Sequence, residues 1–343
     1  MNLNFLRRQR VVGLDVGRGS IKAVALERRG SQEVVVGRGV TRLEGAPDSR
    51  QLVQAIHAAL AAAGADGQPV IAAVGGPEVV IRQVSLPPVA PARIIPALEI
   101  QHRELGLLPP GESVMDAQVL RRGKDGITSE ILAICVPRIL VDERTRLLQQ
   151  AGVSLQTLDV EPLALLNAAL YITQLEAGEM LVLLNVGRRS SSLCLFSERG
   201  PVVSRYLDIG AESFFEQLRG PSTGASYSPE AMARAMTAAE QERTQFACRD
   251  LVDRIAEDIR LSLTFYRTEY DRESLPRYAI GGWTELPVLG RWLSQRIGIP
   301  APLEIMDPFR SVEVRIKQAV PAPESGDTGP QYLQAFGLAL RGL

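Results

Sequence analysis

Residues 12–30 read VGLDVGRGSIKAVALERRG, and residues 182–200 read VLLNVGRRSSSLCLFSERG. Laid over one another without a gap, the two agree at Val12, Leu14, Val16, Gly17, Arg18, Ser20, Arg29 and Gly30, eight of nineteen positions. Each copy reads as an apolar strand, a Gly-led turn, a second apolar strand and a Gly-closed hairpin turn. Chance likeness between two strand–turn units is the competing explanation, but a repeat of this kind constrains a fold more than any local propensity does. It asks for two similar halves, and 343 residues are enough to give each its own core.

The turns carry chemistry of their own. A tight turn leaves backbone N–H groups without ladder partners, and such groups make an anion-binding concavity. Gly17 and Gly187 let the backbone approach a ligand closely. The backbone of Gly17, Arg18 and Gly19 with the hydroxyl of Ser20 forms one donor set; Gly187 with Ser190 to Ser192 forms the other. Two such turns facing each other would clasp a polyphosphate. Asp15, at the base of the first, suits a hydrated Mg²⁺. Lys22 follows Ser20 by two residues and so shares its side of the strand. It is placed to neutralise phosphate, or to be a plain surface lysine. A third element, Ala279-Ile280-Gly281-Gly282, runs a strand into a Gly pair ahead of a helix.

Composition narrows the function classes. Apolar residues make up 45% and charged residues 22%, which is globular. A net charge of −1 argues against a broad nucleic-acid surface. Cys135, Cys194 and Cys248 are far apart and lack CxxC pairing, so they are expected as buried small hydrophobes in a reducing cytoplasm. His57 and His102 have no motif around them and read as structural or surface residues. No apolar run reaches the roughly 20 residues needed to cross a bilayer. Arg7, Arg8 and Arg10 have no apolar region behind them, so no signal peptide is expected and the terminus reads as frayed.

Further elements follow from pattern. Helices are expected over 49–63, 94–105, 140–150, 161–175, 249–270 and 331–340, and strands over 70–74, 78–86, 116–120, 129–136, 156–160 and 277–281. Breaker-rich loops are expected over 220–229 and 318–328.

The two Gly turns resemble the phosphate loops of the superfamily of actin, chaperone ATPases and sugar kinases, and the Gly281-Gly282 element resembles its adenosine motif. More closely, VGLDVGRGSIKAVALE, LDVEPLALLNA, NVGRRSSSLCLFSERGPVVSRYLDIGAESF, IGGWTELPVLGRWLSQRIGIP, Asp307-Pro308-Phe309 and ALEIQHRELGLLPPGES with MDAQVL resemble the type IV pilus assembly PilM family, in order and over nearly the whole chain. That resemblance implies an α/β, actin-like (ribonuclease H-like) two-lobed fold similar to FtsA, with an inserted 1C-type subdomain. Subdomain 1A would take 11–77 with 159–178 and 329–343; 1C would take 78–158; lobe 2 would take 179–328, its smaller part about 210–245. It implies a cytoplasmic adaptor that binds the tail of a PilN-like inner-membrane protein between 1A and 1C, links it to motor ATPases, and holds ATP with Mg²⁺ as a structural or switching ligand.

The chain departs from the pattern in three places, so a weak or degenerate nucleotide site is expected, with at most weak ATPase activity. Asn185 stands where relatives carry Asp. Trp283 follows the Gly pair, either stacking on adenine, filling its pocket or packing in the core. Ser228–Thr237 lacks a Glu-x-x-Lys pattern. Arg188 and Arg189 could grip phosphate or face solvent. Two alternatives stay open. A small-molecule kinase would need a catalytic base, for which Asp159 and Asp208 are the candidates. An FtsA-like scaffold would self-associate. For the partner tail, Leu86-Pro87-Pro88-Val89 and Ile94-Ile95 are the exposed-looking apolar candidates, with core packing the competing reading for the isoleucines.

Overall fold

The structure, a computed structural model, describes residues 10–109, 111–122, 128–197, 200–218, 238–270, 275–283, 288–316 and 328–343. The chain begins as an antiparallel meander of β1 (Arg10–Val16), β2 (Ser20–Arg29) and β3 (Gln32–Arg42). Helix α1 (Ser49–Ala62) returns the chain to β4 (Val70–Val74), which lies parallel to β1. Asp48 starts that helix with a reciprocal cap: its carboxylate accepts from the Gln51 N–H, and the Gln51 side chain accepts from the Asp48 N–H.

Then β5 (Val80–Leu86), α2 (Pro91–Ile100), β6 (Ser113–Arg122) and β7 (Ser129–Pro137) build a separate three-stranded sheet, ordered β5-β7-β6. Helix α3 (Arg138–Gln150) leads back to β8 (Leu155–Val160), beside β4, and to α4 (Glu161–Ile172).

The second half starts the same way, with a meander of β9 (Glu179–Val186), β10 (Ser191–Ser197) and β11 (Gly200–Leu207). Helices α5 (Ala211–Leu218), α6 (Ala238–Ala247) and α7 (Arg249–Tyr270) precede β12 (Leu275–Gly282), which runs parallel to β9. Helix α8 (Leu289–Ile297), β13 (Glu304–Ile305), α9 (Pro308–Ser311), β14 (Glu313–Val314) and a 3₁₀ turn (Gly329–Tyr332) lead to α10 (Leu333–Arg341).

The two large sheets are ordered β14-β3-β2-β1-β4-β8 and β11-β10-β9-β12-β13. Each is a meander continued by a parallel strand, so the duplicated sequence is also a duplicated topology. Register agrees too: Val16 faces Ile21 where Val186 faces Ser191, and Asp15 faces Lys22 where Asn185 faces Ser192.

Helix α7 explains one core. Ile255, Ile259, Leu263 and Tyr266 recur at helical spacing and are all buried against the second sheet. The other half is closed by α10, whose approach is unusually close. A Cβ on Gly13 of β1 would lie 1.9 Å from the Ala335 carbonyl oxygen, and one on Gly337 of α10 would lie 1.8 Å from that of Ala164 in α4. Glycine at both positions lets the helix lie flush between strand and helix.

All three cysteines are buried, and burial pushes the Cys194 and Cys248 thiols up to about 12, so they pack rather than react. The His57 ring bonds the Ala151 carbonyl at 2.9 Å and ties α1 to the end of α3. One expectation is corrected: Leu86 is not exposed but 1% accessible. It forms the core between α2 and the three-stranded sheet together with Ile94, which is 6% accessible and so follows the core-packing reading of the isoleucines. An apolar residue beside a Pro pair reads alike whether it faces inward or outward. Val89 is 38% accessible, and Ile95 is half-buried against that same core. The expected loops at 220–229 and 318–327, and the Ser228–Thr237 stretch, lie outside the described residues.

Two glycines test the packing account in opposite directions. Gly337→Ala should lower stability by about 2 kcal/mol, the cost of an overpacked contact between backbones. Gly290→Ala in α8, where a Cβ would meet nothing nearer than 3.6 Å, should raise it by about 0.5–1 kcal/mol. Urea unfolding of both variants reads the two signs.

Candidate functional site: a cleft between two matched turns

The strand β1 ends at Val16, and the chain reverses because the Gly17 N–H donates to the Ser20 carbonyl at 3.1 Å. The second copy repeats the bond: Gly187 N–H to the Ser190 carbonyl, 2.9 Å. A Cβ at Gly17 or Gly187 would sit 3.0 or 2.5 Å from those oxygens, so the turn favours glycine. The two turns border a cleft of about 610 Å³ between the halves. The third element closes one end of it. The Trp283 N–H donates to the Val186 carbonyl at 2.7 Å, and Gly282 has φ 76°, with no room for a Cβ beside that same oxygen.

Of the residues singled out in the sequence, Asp15, Gly17, Arg18, Gly19, Ser20 and Lys22 line the cleft from the first half. Asn185, Gly187, Ser190, Gly282 and Trp283 line it from the second. Gly281 lies behind the wall, where a Cβ would fall 2.6 Å from Leu333 Cδ2. The Trp283 indole is half-buried and packs edge-on against Phe215 at 5.2 Å between ring centres, so it is a wall residue rather than a buried core one.

At the base, Asp15 is 6% accessible. Its carboxylate accepts from Lys22 Nζ at 2.9 Å and from Gln334 Nε2, on α10, at 3.1 Å. Glu161, the first residue of α4, and Arg144, on α3, stand beside them and also line the cleft. Arg144 Nη1 donates to the Val16 carbonyl at 2.9 Å, just ahead of the first turn. Burial pushes the Glu161 carboxyl up, and nearby Asp15 adds to that, while Arg144 and Lys22 pull it back. Burial likewise lowers Arg144, opposed by Glu161 and Asp15. Two acids and two bases thus balance one another in a desolvated place.

Glu161, Arg144 and Gln334 escaped the sequence reading. Glu161 looks like an ordinary acid at a helix start, and Arg144 like one charge among many in α3. Gln334 did leave a signal, as the polar residue in an otherwise apolar turn of α10. The two arginines after Gly187 face neither solvent alone nor the base of the cleft. Arg188 Nε donates to Glu212 Oε1 at 2.7 Å, and Arg189 Nε to Glu212 Oε2 at 3.3 Å. Asp159 and Asp208 do not line the cleft. Asp159 accepts from the Val160 N–H at 2.8 Å and lies 3.5 Å from Arg341 Nε, joining β8 to α10. Among the described residues, no three or more His, Cys, Asp or Glu side chains are grouped to hold a metal.

The Asp15–Lys22 pair has a measurable weight. Lys22→Met strands a buried carboxylate and should cost about 3 kcal/mol. Asp15→Asn combined with it should restore most of the loss. A double-mutant cycle from urea unfolding gives the coupling directly.

Residues 13–343 match the family described as Type IV pilus assembly protein PilM. No curated protein matches the sequence. Among solved structures, a "PilM-PilN type IV pilus biogenesis complex" is similar with a TM-score of 0.75 and 22% identity, covering 98% of this chain and 99% of that one. The ethanolamine utilization protein EutJ from Carboxydothermus hydrogenoformans is similar at a TM-score of 0.52 and 14% identity, over 98% of this chain and 90% of that one. These likenesses show an actin-like α/β fold. No helix among the described residues is long and apolar enough to cross a membrane. With the matched stretch running from within β1 to the last residue, the chain belongs to the type IV pilus assembly protein PilM family.

Proposed function

We propose that this chain is an actin-like adaptor of type IV pilus assembly, which binds the cytoplasmic tail of a PilN-like inner-membrane protein and couples it to the motor ATPases. One observation carries the reading: the structure similar over 98% of this chain is that of a PilM–PilN complex. The adaptor would be cytoplasmic and reach the inner membrane through that partner. Residues 78–158, which include the three-stranded sheet, would form the inserted 1C subdomain. Residues 11–77 with 159–178 and 329–343 would form 1A, and 179–328 lobe 2. The tail would lie between 1A and 1C.

The cleft would hold a nucleotide, ATP with Mg²⁺. The residues fit on their own geometry. Two Gly turns border one space, Lys22 supplies a cation beside the first, Asp15 an anion for a hydrated metal, and Trp283 an aromatic wall near the Gly pair. Because Lys22 already pairs with Asp15, phosphate and metal would compete for that pair and so bind together. The nucleotide supplies a ligand that ties the halves; the protein's part is to orient it and exclude water.

Calorimetric titration with a PilN-like tail peptide tests the adaptor reading. Saturable binding at one site is expected, absent with a scrambled peptide. With Leu86 and Ile94 in the core, Val89 stays exposed in that apolar run beside Pro87 and Pro88. Val89→Asp should weaken binding about tenfold, a loss of about 1.4 kcal/mol, at unchanged thermal stability. No binding of the tail by the wild type would overturn the reading.

A further inference from the structure

We propose that Arg18 and Arg188, the arginine shared by both copies of the repeat, form a reciprocal latch across the rim of the cleft and set the rate at which a nucleotide crosses it. The rate clause rests on the nucleotide reading above; the latch itself does not. Each arginine leaves its own turn and lands on the opposite half. The Arg18 guanidinium stands over the ring of Tyr206, on β11, 5.6 Å from its centre. Tyr206 is in turn held through its hydroxyl by the hydroxyl of Ser190. In the other direction, Arg188 Nη1 donates to the Gly19 carbonyl at 3.4 Å and to the Leu43 carbonyl at the end of β3. Arg189 adds a bond to the Gly45 carbonyl.

Two features show that this crossing is built rather than incidental. Glu212 takes both arginines on its two oxygens, while its own N–H donates to the Arg188 carbonyl at 2.8 Å. The carboxylate is therefore fixed to the same turn and aims both guanidinium groups at the first half. Gly19 is the second feature. A Cβ there would lie 2.2 Å from Arg188 Cδ, so the arginine stem lies flat on a backbone that must lack a side chain. The matching position of the second copy is Arg189, not glycine. The two copies thus differ here: the first offers a bare backbone to Arg188, and the second adds Arg189, which donates to the Gly45 carbonyl.

These bonds run from protein to protein and need no ligand. With Nε and Nη1 of Arg188 committed to Glu212, Gly19 and Leu43, the residue acts as a strap at the rim, not as a phosphate ligand. A nucleotide passing between the turns has to part the strap in both directions. Removing it should therefore speed entry and release alike, whereas removing a phosphate ligand speeds release alone.

The test uses the full chain and three variants. Arg188→Ala and Glu212→Gln remove the strap; Arg205→Ala, whose side chain pairs with Asp258 at 3.9 Å outside the cleft, is the control. A fluorescent ATP analogue with Mg²⁺ should enter and leave the first two about tenfold faster, with little change in Kd, and the control at wild-type rates. Faster release with unchanged entry, or unchanged rates, would overturn the gating role. The latch has a separate readout. Because the native cysteines are buried, spin labels at Arg50→Cys on α1 and Gln217→Cys on α5 report the separation of the halves. Arg188→Ala should lengthen and broaden that distance; an unchanged distribution overturns the latch. If the wild type takes up no analogue, the nucleotide reading fails and the label distance still decides the latch.

Discussion

The close approach of α10 to β1 is the contact on which the cleft depends. Backbone meets backbone there because Gly13 carries no side chain against the Ala335 carbonyl, and on the other side of α10 Gly337 does the same against Ala164 of α4; a methyl at either would fall within 2 Å of a carbonyl oxygen. Only at that separation does Gln334 reach Asp15, and only there does Leu333 seal the far side of Gly281. Arg341, one residue past Leu340 on the same helix, meets Asp159 at the end of β8. The last turns of the chain therefore position its first turn, and α10 joins the base of the cleft to the strand edge beside the three-stranded sheet.

Duplication gives the second organising fact. Both halves place a Gly turn at the same register of the same sheet order. Their differences then divide the labour. The first copy keeps the charged pair Asp15 and Lys22; the second has Asn185 and Ser192 at those positions and is neutral there. In exchange, the second copy carries Arg189 where the first has Gly19, and it is this pair of positions that allows the arginines to cross. One turn holds the ionic chemistry, and the other holds the halves together. Arg144 extends the arrangement. Among the described residues of 78–158 it is the one that lines the cleft, and it bonds the carbonyl before the first turn. The segment proposed to receive the partner's tail thus touches the cleft through a buried cation.

What the sequence disclosed follows from range. The repeat, the strands flanking each turn, the 249–270 helix and the Gly pair at 281–282 rest on local rules: alternation, helical spacing and glycine geometry. They could be read directly, and they bring Asp15, Gly17, Lys22, Gly187 and Gly282 onto the lining of one cleft, with Gly281 behind it. Glu161, Arg144 and Glu212 act through partners distant in sequence, and nothing beside them marks the role. The same holds for Leu86. The Pro87-Pro88-Val89 run that follows it does not say which side it faces, and that is decided by α2 closing over β5. The function came from resemblance to a family rather than from any one motif, since Asn185 and Trp283 each depart from the pattern expected of the motif that holds them.

The central claim is that the two matched turns make a working nucleotide clasp. Calorimetry of Mg-ATP with the purified full chain tests it most directly, beside Asp15→Ala and after checking for nucleotide carried through purification. The account predicts saturable binding at one site, lost in an Asp15→Ala variant that keeps its far-UV spectrum. No binding by the wild type, with no nucleotide carried through, would contradict it and leave the cleft as an inherited shape joined by its own arginines.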